Sequence, residues 1–352
     1  NSKGVIMKKE LLMGTALVST LGAASVAEAV TATMSGNHQT GMEFDSPTGG
    51  TDTNAQINDN NFTVSLSETT DGGMTISSSF KVMDENSKYD ADAGFTLAFT
   101  DGSKLDVLNA GNASGSHAVS IPSSAGAEGV ATTSTNVAPT GLDFATGGTS
   151  FGIEYHTASD FLADGLSMSF SASTDNGAAA TATYKTDQGF AIGATYVSDL
   201  GDTAITIGAG ISTTEGSKTS TAVANDTGGV HVGLSAVTGD LTVAVGFADG
   251  DVAGVGDKGD SEYTADVVAA GVKYVSGDLT FNVGIASGEA QDNTYGSTGG
   301  SDDSLDVTSA SVSYAVASGV TAILGYTSTE AGDDGSSVDD GSAWYIGANM
   351  SF

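Results

Sequence analysis

The sequence predicts an all-β protein, a closed antiparallel transmembrane β-barrel of 16 strands, and three observations support this prediction. First, the last eleven residues alternate, because Trp344, Ile346 and Phe352 fall on one face of a strand while Tyr345 and Gly347 fall on the other. Second, the same alternation of apolar and polar residues recurs along the chain from residue 30. Third, short turns alternate with longer acidic loops, which is the sequence pattern of a transmembrane barrel.

Composition narrows the function classes. The chain has 352 residues, no cysteine, 49 glycines and a formal net charge of -33. The lack of cysteine excludes a disulfide scaffold and a thiolate metal site. All 10 basic residues are lysines, and so acidic a protein would repel a phosphate backbone, which argues strongly against nucleic-acid binding. The acidic residues lie between regularly spaced apolar segments, so they are interpreted as the solvated loops of a folded protein.

The N-terminus resembles an export signal. Residues 1–6 are interpreted as extra N-terminal residues, and residues 7–29 combine a short basic region, an apolar stretch and small residues at a cleavage site. These features predict a cleaved secretory signal peptide followed by one β-barrel domain over residues 30–352. The apolar stretch is shorter than the roughly 20 residues that a spanning helix needs.

The first half of the barrel domain is predicted from apolar residues at every second position. This pattern predicts strands over residues 30–44, 62–66, 74–82, 95–99 and 105–107, with a polar loop between the first two. Asp-Gly turns join the second strand to the third and the fourth to the fifth. The alternation places four charged side chains on the polar, inward face: Glu43, Lys81, Lys104 and Asp106.

Residues 110–148 form the longest irregular segment and contain two of the three prolines. A segment of this length inside a compact domain is usually either functional or disordered, and composition leaves both interpretations open. The alternation resumes at residue 151 and places Glu154 and His156 inward.

The second half contains three similar hairpins about 40 residues apart, separated by acidic loops at residues 249–261, 287–304 and 329–341. A β-propeller would need four strands per repeat, whereas these repeats supply two. Counting every alternating run gives an odd number of strands, which conflicts with both chain ends lying on one side of the membrane. The weakest run, residues 178–184, is therefore assigned to a loop, which leaves sixteen strands.

With these residues in place, the chain resembles the general porins of Gram-negative outer membranes, in particular the alphaproteobacterial branch. The resemblance rests on the signal peptide, residues 30–36, the hairpin at residues 93–107 and the terminal strand. It implies a homotrimer of 16-stranded barrels in which segment 110–148 folds into the pore, with Glu128 and Asp143 facing basic residues on the wall. The chain departs from the family here, because its wall candidates are Lys81 and Lys104 and it contains no arginine.

The resemblance also implies an assembly signal at the chain end that the outer-membrane insertion machinery reads. Its polar, glycine and two apolar positions are occupied by Tyr345, Gly347, Met350 and Phe352.

No enzymatic or nucleotide-binding motif is found, so the protein is not predicted to be an enzyme and no cofactor is required. The four histidines are scattered without metal-ligand spacing. Calcium binding at the acidic loops is a further expectation, because hard oxygen ligands are plentiful there. The candidate calcium ligands are Asp302, Asp303, Asp333, Asp334, Asp339 and Asp340.

The sequence therefore predicts a water-filled channel in the outer membrane for passive diffusion of small hydrophilic solutes and ions, with a preference for cations. Its partners would be the lipid bilayer, further copies of the chain and small solutes. The candidate pore-lining residues are Glu43, Lys81, Lys104, Asp106, Glu128, Asp143, Glu154 and His156. The alternative is a structural β protein of the surface-layer or adhesin type.

Overall fold

A computed structural model describes residues 30–48, 50–83, 94–108, 112–123, 152–174, 184–185, 188–215, 223–224, 227–252, 263–290, 303–333, 336–337 and 341–352. Within these residues, sixteen antiparallel strands form a closed barrel. The strands are β1 (Thr31–Pro47), β2 (Thr53–Thr69), β3 (Thr75–Met83), β4 (Phe95–Ala98), β5 (Lys104–Val107), β6 (Gly152–His156), β7 (Leu166–Thr174), β8 (Gln188–Leu200), β9 (Thr203–Glu215), β10 (Thr227–Thr238), β11 (Leu241–Val252), β12 (Tyr263–Ser276), β13 (Leu279–Ala290), β14 (Asp303–Ala317), β15 (Val320–Asp333) and β16 (Gly341–Ser351).

The barrel closes between its first and last strands. Strand β1 pairs with β2 on one side and with β16 on the other, from Asn37 opposite Ser351 to Pro47 opposite Gly341. The terminal residue extends this ladder, because Gly36 and Phe352 exchange backbone hydrogen bonds of 3.2 and 3.1 Å. Closure removes the exposed sheet edges that a membrane would not tolerate.

Side chains alternate between a polar lumen and an apolar outer wall, as the sequence pattern predicts. On β16, Trp344 and Ile346 are exposed on the outer surface, whereas Tyr345 between them is fully buried. On β11, Val243, Val245 and Phe247 point outward in the same way. The rings of Trp344 and Tyr326 lie 4.6 Å apart at the outer end of the apolar wall, a position typical of the aromatic belt of a membrane barrel.

The connections sort into two kinds at the two ends of the barrel. At one end the turns are short, and two of them use Gly239 (φ 56°) and Gly277 (φ 60°), a left-handed conformation that favours glycine. At the other end lie most of the longer connections. Segment 184–185 pairs in parallel with segment 223–224 outside the barrel sheet, so leaving residues 178–184 out of the strand count was correct; residues 178–183 lie outside the described residues.

The strands extend further than the alternation predicts. The predicted polar loop between residues 44 and 62 is instead strand up to Pro47 and again from Thr53. Amides occupy the outward positions there, so the apolar signal is missing. Parts of the predicted acidic loops at 249–261, 287–304 and 329–341 are also strand, and Asp249 lies directly opposite Asp266 in the ladder. In the described part of the chain, no helix is long and apolar enough to cross a membrane.

Candidate functional site

Residues 112–123 of the long loop fold into the barrel and lie against its inner wall. The backbone N–H of Ala113 donates to Ser171 Oγ at 3.0 Å, and His231 Nε2 lies 2.8 Å from the carbonyl oxygen of Ser114. Further along, Val119 and Ile121 are buried in a hydrophobic cluster that the loop forms with the wall. The wall contributes the other members, Ala244, Ala248, Val267, Ala269 and Ala286. This packing fixes the loop inside the lumen.

Glycines on the inner wall make room for the loop. A Cβ atom on Gly193 would overlap the carbonyl oxygen of Ala113, and one on Gly271 would overlap that of Pro122. The further glycines with the same relation to the loop are Gly208, Gly210, Gly233 and Gly284. They are neighbours in the ladders, with Gly193 opposite Gly210, Gly208 opposite Gly233 and Gly271 opposite Gly284. We call these six residues the glycine track. The backbone can lie flat on the wall only because no side chain intervenes.

His117 links the loop to the wall. Its Nδ1 lies 2.7 Å from Thr195 Oγ1 and its Nε2 lies 2.8 Å from Ser169 Oγ. It sits in the single turn of 3-10 helix at Gly115–His117 and is buried. Burial, together with the nearby His156 and His231, lowers the pKa of this loop residue to about 4, so it is neutral at neutral pH.

A second group of contacts holds the carboxylates on the wall beside the loop. Asp106 accepts from Thr96 and lies 2.9 Å from His156 Nε2 and 3.4 Å from Lys104 Nζ. Glu154 is 1% exposed and accepts a hydrogen bond of 2.6 Å from Ser116 Oγ of the loop. Each carboxylate therefore has charged or hydrogen-bonding partners, as buried charges require.

Ser169, His156 and Asp106 form a line of hydrogen bonds that resembles a catalytic triad, with Ser169 Oγ 2.8 Å from His156 Nδ1. Ser169 is only 1% exposed, however, and its hydroxyl is also bonded to His117. No substrate carbonyl has access to this oxygen. The line of contacts therefore fastens the loop to the wall.

Between the loop and strands β8–β13 lies a cavity of about 530 Å³, which we call the vestibule. Residues His117–Ser123 cover one side. The opposite wall contributes five hydroxyl-bearing residues, Thr195, Thr206, Ser235, Thr242 and Thr280, together with Lys273 and Asn282. The polar strand side of the vestibule suits a hydrated path inside the closed barrel.

A comparison with family models decides the class of protein, because the model described as Gram-negative porin matches residues 14–334. The chain belongs to the Gram-negative porin family. The family and the fold are those of outer-membrane channels for small solutes and not of enzymes. A comparison with curated protein sequences finds no match.

Solved structures share the barrel of this porin at low identity. An anion-selective porin from Comamonas acidovorans is 12% identical with a TM-score of 0.63, covering 92% of this chain and 100% of that one. OmpF of Salmonella typhi, in complex with daunomycin, is 16% identical with a TM-score of 0.62, covering 91% and 97%. OmpT of Vibrio cholerae is 14% identical with a TM-score of 0.58, covering 93% and 99%. These likenesses establish the fold and do not support the surface-layer or adhesin alternative.

The closing strand of the porin explains the residues of the proposed assembly signal in structural terms. The ring of Tyr345 lies in the lumen against Gly347 and Gly41, where a Cβ would overlap it, and Gln39 Nε2 donates to its hydroxyl at 3.2 Å. Met350 and Phe352 are exposed on the outer face. The part that insertion machinery plays at these residues stays a prediction.

The predicted pore-lining residues are placed unevenly. Glu43 and Lys81 lie at inward positions on β1 and β3, while Lys104, Asp106, Glu154 and His156 belong to the contacts around the loop. Glu128 and Asp143 lie outside the described residues. Sequence reasoning missed Lys273, His117 and the glycine track. The signal for the track was present, because glycine recurs at inward positions of neighbouring strands.

The calcium prediction falls mostly outside the described residues, which exclude Asp302, Asp334, Asp339 and Asp340. Asp303 and Asp333 lie directly opposite each other in the β14–β15 ladder. Among the described side chains, no group of three or more metal-binding residues is found. Calcium binding at the outer loops remains a prediction.

Proposed function

We propose that this porin forms a water-filled channel for passive diffusion of small hydrophilic solutes and ions, that it favours cations, and that it works as a homotrimer. The observation that carries the proposal is the loop seated inside a closed, polar-walled barrel beside the vestibule. A loop held in this way narrows the lumen. From the sequence features given above, we further propose that residues 7–29 are a signal peptide, that the porin is of the alphaproteobacterial type and that calcium binds at the outer loops.

The sign of selectivity must come from the charges of this chain, because the same fold occurs in an anion-selective porin from another organism. Three carboxylates, Glu43, Asp45 and Asp59, occupy inward positions on β1 and β2. The net charge of -33 adds a negative field at the loops. A lumen lined by excess carboxylate raises the local concentration of cations.

The test is a planar-bilayer recording across a gradient of potassium chloride. We expect the current to rise in steps as single channels open, and the reversal potential to have the sign set by potassium. The size of this potential should grow at low salt, because screening of the charges weakens. Replacing Glu43→Gln and Asp59→Asn together should reduce the cation preference while the channels still open. A chloride-selective reversal potential in the unaltered porin would refute the selectivity, and the absence of channels would refute the pore.

Support for the homotrimer comes from amides on the outer wall. Asn54, Gln56, Asn58 and Asn60 of β2, here called the amide patch, share the outward face with Met42 and Phe44 of β1. Gln56 lies directly across from Met42, which lies across from Ile346 on β16, so the patch is in register with the apolar wall. Amides facing hydrocarbon are costly where they lack a hydrogen-bond partner. Asn60 bonds to Asn58 and His38 within the chain, and a neighbouring protein can bond the remaining amide groups. A second copy of the chain is therefore the proposed cover.

Asn58→Leu distinguishes a contact with another copy from a contact with lipid, because the two predict opposite changes in stability. If the patch contacts another copy, this change should lower the temperature at which trimers dissociate on unheated gels. If the patch faced lipid, removing an amide should instead leave the oligomer unchanged and stabilise the barrel. Thr213→Leu, an outward polar-to-apolar change on β9, serves as the control and should leave the trimer unaffected.

A further inference from the structure

The vestibule has a chemistry that differs from the carboxylate-bearing wall near Asp106. Five of its strand residues present hydroxyl groups, and Lys273 supplies a cation. Among the described residues that line it, none is acidic. The vestibule is therefore locally donor-rich within a porin whose net charge is strongly negative.

The strand register brings the key groups together. Lys273 on β12 lies directly opposite Thr242 on β11 and directly opposite Asn282 on β13. Directly opposed residues have Cβ atoms roughly 5 Å apart, so neighbouring positions of the inner wall bear an ammonium, a hydroxyl and an amide. Asn282 Nδ2 donates to Ser311 Oγ at 3.3 Å, which helps to hold the amide in position.

These groups define the class of solute. The ammonium of Lys273 attracts a carboxylate through a charge-assisted hydrogen bond. The surrounding hydroxyls and amide replace the water that a polyhydroxylated solute loses on entry. The volume of about 530 Å³ lies within the range of small-molecule pockets.

We infer that the vestibule is a weak binding site for small hydroxylated monoanions, such as sugar acids, with Lys273 as the anion-binding residue. The inference rests on the proposed function, since solutes reach the vestibule only through an open channel. A carboxylate bound there lies beside the loop, so its occupancy reduces the current that other ions carry. Glu43 and Asp45 lie towards the end of the barrel with the longer connections, whereas Lys273 lies four residues before the short turn at Gly277, so they act on the solute at different depths.

The experiment is the block of single-channel potassium chloride current by added potassium gluconate. Potassium acetate and glucose are the comparison solutes, because one lacks the hydroxyls and the other lacks the charge. We expect saturable block that is strongest with gluconate. Lys273→Gln should raise the apparent gluconate Kd at least threefold, and Lys273→Arg should retain most of the block.

Lys81→Gln is the matched control, because it removes the same charge from an inward position on β3, away from the vestibule. It should change the gluconate Kd by less than Lys273→Gln does. Equal changes in the gluconate Kd for the two variants, or block that is unchanged in Lys273→Gln, would overturn this inference and leave the proposed channel function intact. Absence of channels in the unaltered porin would overturn the proposed function and this inference together.

Discussion

Replacing His117→Ala should release the loop from the wall of the barrel. The change removes the contacts of 2.7 Å to Thr195 and 2.8 Å to Ser169, each worth about 1 kcal/mol net. It also removes the packing of the ring against Gly193. Together these losses weaken docking of the loop by about 2–4 kcal/mol, because Ser169 is left with one buried partner fewer.

Thiol labelling measures this docking directly, because the porin has no native cysteine. Ser114 is 1% exposed, so the near-isosteric change Ser114→Cys places a thiol that reacts only when the loop leaves the wall. In that background His117→Ala should speed labelling roughly 30- to 700-fold, since 1.4 kcal/mol corresponds to a factor of ten. His38→Ala, on the outer face, should leave the rate unchanged. An increase of less than threefold for His117→Ala would refute the role of His117 in holding the loop against the wall.

Three further predictions concern the loop, the glycine track and the closing strand. As the pH falls from 6.5 towards 4, labelling of the Ser114→Cys porin should accelerate relative to labelling of the same thiol in the His117→Ala background and then level off. The reason is that the lowered pKa of docked His117 lets the undocked loop gain the proton first, and the ratio of the two rates cancels the loss of reactive thiolate at low pH. Gly271→Val should widen the channel by displacing the loop at Pro122, at a cost of about 1–3 kcal/mol, with an increase in unit conductance as the measurement. Phe352→Ser should reduce the amount of heat-modifiable barrel in the outer membrane while the conductance of assembled channels stays the same, and normal assembly would contradict the closing role of that residue.

Much of the barrel was predictable from the sequence, because the alternation of side chains between the two faces of a strand is a local property. The faces of Trp344 and Tyr345 follow from alternation alone, and the turns at Gly239 and Gly277 follow from residues that tolerate positive φ. The first half of β2, which begins at Thr53, was missed for an equally physical reason. Its outward residues, such as Asn58, are amides, and a strand whose outer face is polar carries no apolar alternation to detect.

The loop could be located but its path could not be predicted. The contacts of His117 with Ser169 and Thr195 join residues 52 and 78 positions apart, and such pairings depend on the closed barrel. The same holds for Lys273, whose place in the vestibule follows from the strand register and not from its neighbours in sequence. The glycine track was visible in the sequence, but its meaning depends on the loop that covers it.

The most direct test of the account is chemical modification of Ser120→Cys during single-channel recording. Ser120 is exposed and lines the vestibule, on the proposed path of ions. Attaching a positively charged thiosulfonate group should lower the unit conductance, and attaching a negatively charged one should shift the reversal potential further towards cations. Stoichiometric modification, checked by mass spectrometry, with no change in either quantity would contradict a pore narrowed by this loop.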